Sequence, residues 1–179
     1  MPETINLALL VVRIGLGLVF LAHGIKHAMG RDKTIGWFGS IGFKSPGFQW
    51  FASTATEIGI GVLMIVGLIT SAAAAALIAV MVVAFWTVHR SAGFFITSFM
   101  KPDVEVEGYE YVLTLAVMAL ALAVAGPGEW SIDWLIDIDG VTLAEYLDGR
   151  AGLLLAGGGV AAAFAQLAVF WRPTTAQPG

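Results

Sequence analysis

Five apolar runs, each near the roughly 20 residues that a membrane-crossing helix needs, constrain this chain more than any other feature. They occupy residues 5–25, 50–69, 72–88, 109–125 and 151–171. In hydrocarbon a backbone must satisfy its own N–H and C=O groups, so such runs close on themselves as helices. The expected fold class is therefore all-α, a polytopic membrane helical bundle. Composition points the same way: 58% of residues are hydrophobic and 12% charged, against about 25% charged in soluble domains. At 179 residues there is room for one domain. The nine Lys and Arg form no basic patch, which argues against a nucleic-acid partner. There are no cysteines, which excludes thiolate nucleophiles, disulfide exchange and iron–sulfur ligation by this chain. Residues 1–6 carry Glu3 and no Lys or Arg, so the first run is expected to be a permanent span and not a cleaved signal.

The connections differ in character. Thr70 and Ser71 alone separate the second and third runs, which predicts a tight helical hairpin with Gly67 in its turn. Residues 26–49 are rich in Gly and aromatics (Trp37, Phe38, Phe43, Phe48) and read as a loop lying in the headgroup layer. Residues 126–150 hold Glu129, Asp133, Asp137, Asp139, Glu145 and Asp148, an acidic linker in which 133–147 forms a short surface helix or an elbow. The tail, 173–179, reads as disordered. Lys26, Arg31, Lys33, Lys44, Arg90, Lys101 and Arg172 all fall on one side of the five runs, and Arg150 on the other. The positive-inside rule then places the N-terminus outside and the C-terminus in the cytoplasm, with the bacterial plasma membrane as the setting.

Ionisable groups within a span are costly and turn toward the bundle interior. On the first run Arg13, Gly17, Phe20, Gly24 and His27 share one face at 100° per residue, with His23 beside it. Two glycines on that face would let a neighbouring helix approach closely, so it should be the buried one. On the second run Ser53, Thr54, Glu57, Gly61 and Met64 lie on one side. His23 is at nearly the depth of Glu57 and is its expected partner; a direct Arg13–Glu57 pair would need a stretch or a bridging water. Glu110 opens the fourth run near the same leaflet.

Two readings of Arg13, His23, Glu57 and Glu110 stand beside one another. They form an ion-pair network fixing helix register, or they bind a polar head such as a quinone carbonyl and relay protons. Contact with a partner subunit's charges is a third. Haem ligation between His23 and His89 is disfavoured, since a helix-end His beside Arg90 is more often an interfacial residue. A metal site from His23, His27 and Glu57 lacks a third ligand at fixed spacing, and no metal is expected. The run Gly157–Gly158–Gly159 reads as a packing surface.

Several ordered fragments resemble the DoxX family: Arg13…Gly17…Phe20…His23-Gly24…Lys26, then Glu57-Ile58-Gly59…Gly61…Gly67-Leu68…Thr70, then Gly108-Tyr109-Glu110-Tyr111, and last Gly126-Pro127-Gly128…Trp130-Ser131-Ile132-Asp133. The resemblance implies a four-helix membrane domain over residues 1–133. Residues 134–179 then add the rest of the acidic linker, a fifth span and the tail. It also implies membership of a group that includes the DoxD-type subunit of thiosulfate:quinone oxidoreductase. The implied function is an integral membrane subunit of a respiratory or quinone-linked oxidoreductase complex, anchoring or quinone-proximal, with the main catalytic chemistry on a partner. A non-catalytic assembly or scaffold protein is the alternative. A small-solute or proton-coupled carrier is a further one, against which the lack of an internal repeat and of mid-span prolines counts.

Overall fold

The computed structural model describes residues 1–100, 104 and 106–173. The tail beyond Pro173 and the acids Asp103 and Glu105 lie outside the described residues. The fold is an all-α membrane bundle. Its long helices are α1 (Glu3–Met29), α3 (Pro46–Val66), α4 (Thr70–Ala84), α5 (Glu110–Ala125) and α8 (Gly149–Phe170). The helical path of α4 runs on through a π turn, Phe85–His89, and a 3-10 turn to Ala92. With that extension, four helices are long and apolar enough to span a bilayer. α5 has 16 residues, about 24 Å at 1.5 Å per residue, and is the short fifth member. Its N-terminus is tied to the chain that leaves α4, where Tyr109 and Glu110 N–H donate to the Gly93 and Phe94 carbonyls.

The expected buried face of α1 is the observed one. Arg13, Leu16, Gly17, Phe20 and Gly24 are buried, and α1 packs most closely on α3. A Cβ on Gly61 would stand 2.6 Å from Leu21 Cβ, and one on Gly24 would stand 2.8 Å from Ile58 N. The two helices therefore touch backbone to backbone, which only small residues permit. Leu16, Phe20, Ile60, Met64, Leu77, Met81, Leu115 and Leu122 fill the centre. α8 lies against α4 and α5, with Gly159 on the Ala75 carbonyl and Gly152 on the Ala123 carbonyl. Leu7, Val11, Leu18, Val62, Val117, Leu154 and Val169 face outward, as expected where lipid is the solvent.

The headgroup-layer loop expected at residues 26–49 is in part a helix. α1 continues to Met29, and α2 (Arg31–Ser40) follows after Gly30. Gly36 and Gly39 depress helix propensity there. Packing overrides it: Thr34 and Phe38, one turn apart, are both buried, and Thr34 Oγ1 donates to the Gly30 carbonyl at 3.0 Å. α2 and the following turn form an elbow across one end of the bundle. The end of α8 is stitched to it, with Lys44 N–H donating to Phe170 O at 2.7 Å and Arg172 N–H to Gly42 O at 2.9 Å. Trp171 Nε1 donates to the Ile41 carbonyl at 2.7 Å.

The opposite, turn end carries α6 (Ile132–Leu135), a hairpin of β1 (Asp137–Ile138) with β2 (Val141–Thr142), and α7 (Leu143–Leu147). Asp139 and Gly140 both have positive φ, the requirement of a tight hairpin turn. Thr142 and Glu145 form a reciprocal cap at the start of α7.

Candidate functional site

The four residues expected to cluster are divided between the two ends. Arg13 is at the turn end, 1% exposed. Its guanidinium donates to Met64 O at 3.1 Å, Ile65 O at 3.3 Å and Trp130 O at 2.7 Å. The last carbonyls of α3 have no intrahelical partner and sit at the negative end of the helix dipole. Arg13 supplies both hydrogen bonds and positive charge there. Met64 is seven residues past Glu57, about 10 Å along α3, so Arg13 and Glu57 form no pair.

Asp133, read from sequence as part of an acidic surface linker, is 1% exposed. Its carboxylate accepts from Ile69 N at 2.5 Å and Thr70 N at 2.8 Å, the amides that open α4. Its own N–H donates to the Gly67 carbonyl at 2.8 Å. Between the two helices Gly67 and Ile69 both adopt left-handed backbone conformations. For a β-branched residue such as Ile69 that is costly, and the Asp133 bond holds it in place. The turn thus spans 67–69, and Thr70 and Ser71 belong to α4. Nearby, Asn6 Oδ1 accepts from Glu129 N at 2.9 Å and Ser71 Oγ donates to Ala123 O at 3.0 Å. Every one of these contacts is directed at backbone, so this end is a structural clasp.

The elbow end is different. A cavity of about 670 Å³ opens between α1, α2, α3, α4 and α5. Its apolar walls include Val19, Phe20, Phe38, Met81 and Val112, and its polar groups include His23, Lys26, His27, Ser53, Glu57 and His89. Glu57 is 5% exposed. Ser53 Oγ, one turn earlier, donates to Glu57 Oε1 at 3.1 Å. The imidazole beside Glu57 is His27, with Nδ1 3.1 Å from Oε2, and not His23 as expected. The reason is that α1 runs one turn further than the apolar run suggests. Trp50 Nε1 then donates to the His27 carbonyl at 2.9 Å and fixes that turn against α3. His23 stands edge-on to the His27 ring at 6.5 Å and is more exposed.

The His27–Glu57 approach is close but poorly aligned. Among the described residues, neither Nδ1 nor Oε2 has a hydrogen-bond partner. Both atoms stand at the wall of a cavity, where a polar group could reach them. His89 Nδ1 meets the Glu107 carbonyl at 2.8 Å, which requires a proton on Nδ1. Glu110 lies outside the lining; its Oε2 accepts from Ile96 N at 3.0 Å and holds the chain after α4 to the start of α5. Among the described residues no group of three or more His, Asp or Glu could hold a metal ion. The structure thus brings His23 and Glu57 together, adds His27 and Ser53, and leaves Arg13 and Glu110 elsewhere.

A lipid-facing bundle with one structural end and one polar cavity is a small multi-pass membrane protein. The DoxX family model matches residues 8–90, a stretch that includes Arg13, His27, Glu57 and His89. A Bacillus subtilis (strain 168) protein named "Putative oxidoreductase CatD" is 30% identical over 122 residues, 68% of this chain and 83% of that relative. The chain belongs to the DoxX family. No solved structure matches it.

Proposed function

We propose that this protein is a quinone-proximal membrane subunit of an oxidoreductase complex, and that the elbow-end cavity receives the quinone head. The observation that carries the reading is the Glu57 Oε2–His27 Nδ1 pair, buried at a cavity wall without a satisfying hydrogen bond. A quinol hydroxyl set beside the pair would accept from His27 Nδ1–H and donate to Glu57 Oε2, so the residues present fit the group. Bound there, a quinone would supply two-electron, two-proton redox chemistry. His27 would donate to the ring oxygen, and Glu57 would take or return its proton. His23, exposed at the cavity mouth, would pass that proton to water. Apolar walls such as Phe20 and Met81 would exclude water from the ring. With no cysteine in the chain, electron entry falls to a partner subunit, in line with the relative's oxidoreductase name.

Among the described residues Lys26, Arg31, Lys33, Lys44, Arg90 and Arg172 fall on the elbow side. We infer that this side, with the cavity, faces the bacterial cytoplasm and that the α6–α7 cap faces outward.

The test is quinone-linked activity of membranes carrying Glu57→Gln. The reading expects at least a tenfold fall, about 1.4 kcal/mol, with the complex still assembled on a native gel. Unchanged activity at normal assembly would refute it.

A further inference from the structure

A second cavity, of about 780 Å³, runs along the lipid-facing side between α3, α4 and α8. It extends at least from Ala151 to Gln166, about 22 Å along α8, most of the hydrocarbon depth. Its floor is made of small residues, among them Ala75, Ala76, Ala79, Gly158, Gly159 and Ala162. Phe38, Ser53, Val80 and Val83 line both this groove and the polar cavity. The two spaces therefore stand back to back across one layer of side chains. Ser53 is the smallest of the four and touches Glu57 directly.

We propose that the groove holds the apolar chain of the same amphiphile whose head occupies the polar cavity, crossing the shared wall beside Ser53. This rests on the head-binding reading above. The wall shared by the two spaces, only one side chain thick at Ser53, favours one ligand over two. The groove is also nearly all carbon, which suits a prenyl or alkyl tail and no polar ligand.

Quenching of tryptophan fluorescence in the full chain, reconstituted in lipid nanodiscs, tests this, since Trp37 lines the head cavity. The probes are a dimethoxy-methyl-benzoquinone without a side chain and the same head with a decyl tail, each expressed per mole of lipid. The tailed form should bind about tenfold more tightly per mole of lipid, the gain coming from close packing of the tail against the groove floor. Gly158→Phe, with Ala162→Phe as a second blocking variant, should remove that advantage and leave the tail-less titration unchanged. Nothing lies within 4 Å of a Cβ on either Gly157 or Gly158, and Gly157 is outside the groove lining. Gly157→Phe should therefore keep the tail advantage. If both blocking variants keep it while Glu57→Gln abolishes head binding, the groove assignment falls and the head site stands. If Gly157→Phe loses it as well, the gain comes from lipid around α8 and the groove assignment falls. If the tail-less head does not bind at all, both readings fall together.

Discussion

Arg13 and Asp133 hold opposite ends of one turn. The guanidinium donates to the carbonyls that close α3, and the carboxylate accepts from the amides that open α4. Each charge has the sign that its helix dipole calls for. The pair acts through the backbone between them, which explains why a cation and an anion 120 residues apart are both buried without meeting in a salt bridge.

Removing either should be severe. Arg13→Ala leaves the three carbonyls it serves unsatisfied and should cost about 3–5 kcal/mol. Asp133→Asn, which keeps the shape and loses the charge, should cost about 1–3 kcal/mol. The double variant Arg13→Ala, Asp133→Ala should cost less than the sum of its singles. Unfolding followed in detergent by circular dichroism measures all of these, and additive losses would show that the two caps are independent.

The α1–α3 contact makes a sharper positional claim. Gly61→Ala must push a Cβ into the Leu21 backbone and should cost about 1–3 kcal/mol through overpacking. Gly59→Ala, two residues away, meets nothing within 4 Å and should be neutral or slightly stabilising. Melting temperatures of the two variants compare them directly.

How much of this was legible depended on what kind of partner a residue has. The buried face of α1 could be read because Arg13, Gly17, Phe20, Gly24 and His27 recur at helical spacing, and that regularity is a property of the chain itself. The choice between His23 and His27 could not, because it turns on where α1 ends, and the polar residues of its last turn hide that. α2 was hidden by Gly36 and Gly39; its stability comes from packing of Thr34 and Phe38, which no local pattern records. Asp133 looked like one more acid in an acidic linker. Its partners are backbone amides 63 and 64 residues earlier in the chain, and backbone amides carry no sequence signature. By contrast, the hairpin and the α7 cap left readable traces, Asp139-Gly140 and Thr142-x-x-Glu145, in strands too short to show a period of two.

The α6–α7 cap should respond to acid. Hydrogen bonds from the Thr142 backbone N–H, and then from its hydroxyl, hold the Glu145 carboxyl below its ordinary value. A depressed folded-state pKa means the stabilising contribution is full above the unfolded carboxyl value and is lost as pH falls through the folded one. Asp148 runs the other way: burial, and then the nearby Glu145, raise its pKa. Its contribution is full below the unfolded value and fades as pH rises through the folded one. Protection of the α7 amides, taken relative to the intrinsic exchange rate at each pH, should therefore fall as the pH drops below the carboxylate range, and Thr142→Ala should lower it about fivefold at neutral pH. Exchange in α7 that ignores both changes would contradict the cap.

The central claim is that Glu57 exchanges a proton with a ligand in the elbow cavity, whereas Arg13 and Asp133 only hold the bundle together. Infrared difference spectroscopy of the protein with added benzoquinone, oxidised against reduced, reads carboxyl protonation directly. A protonated-carboxyl C=O signal that appears with the natural chain, disappears in Glu57→Gln and persists in Asp133→Asn is the predicted result. The same signal surviving in Glu57→Gln would contradict the account.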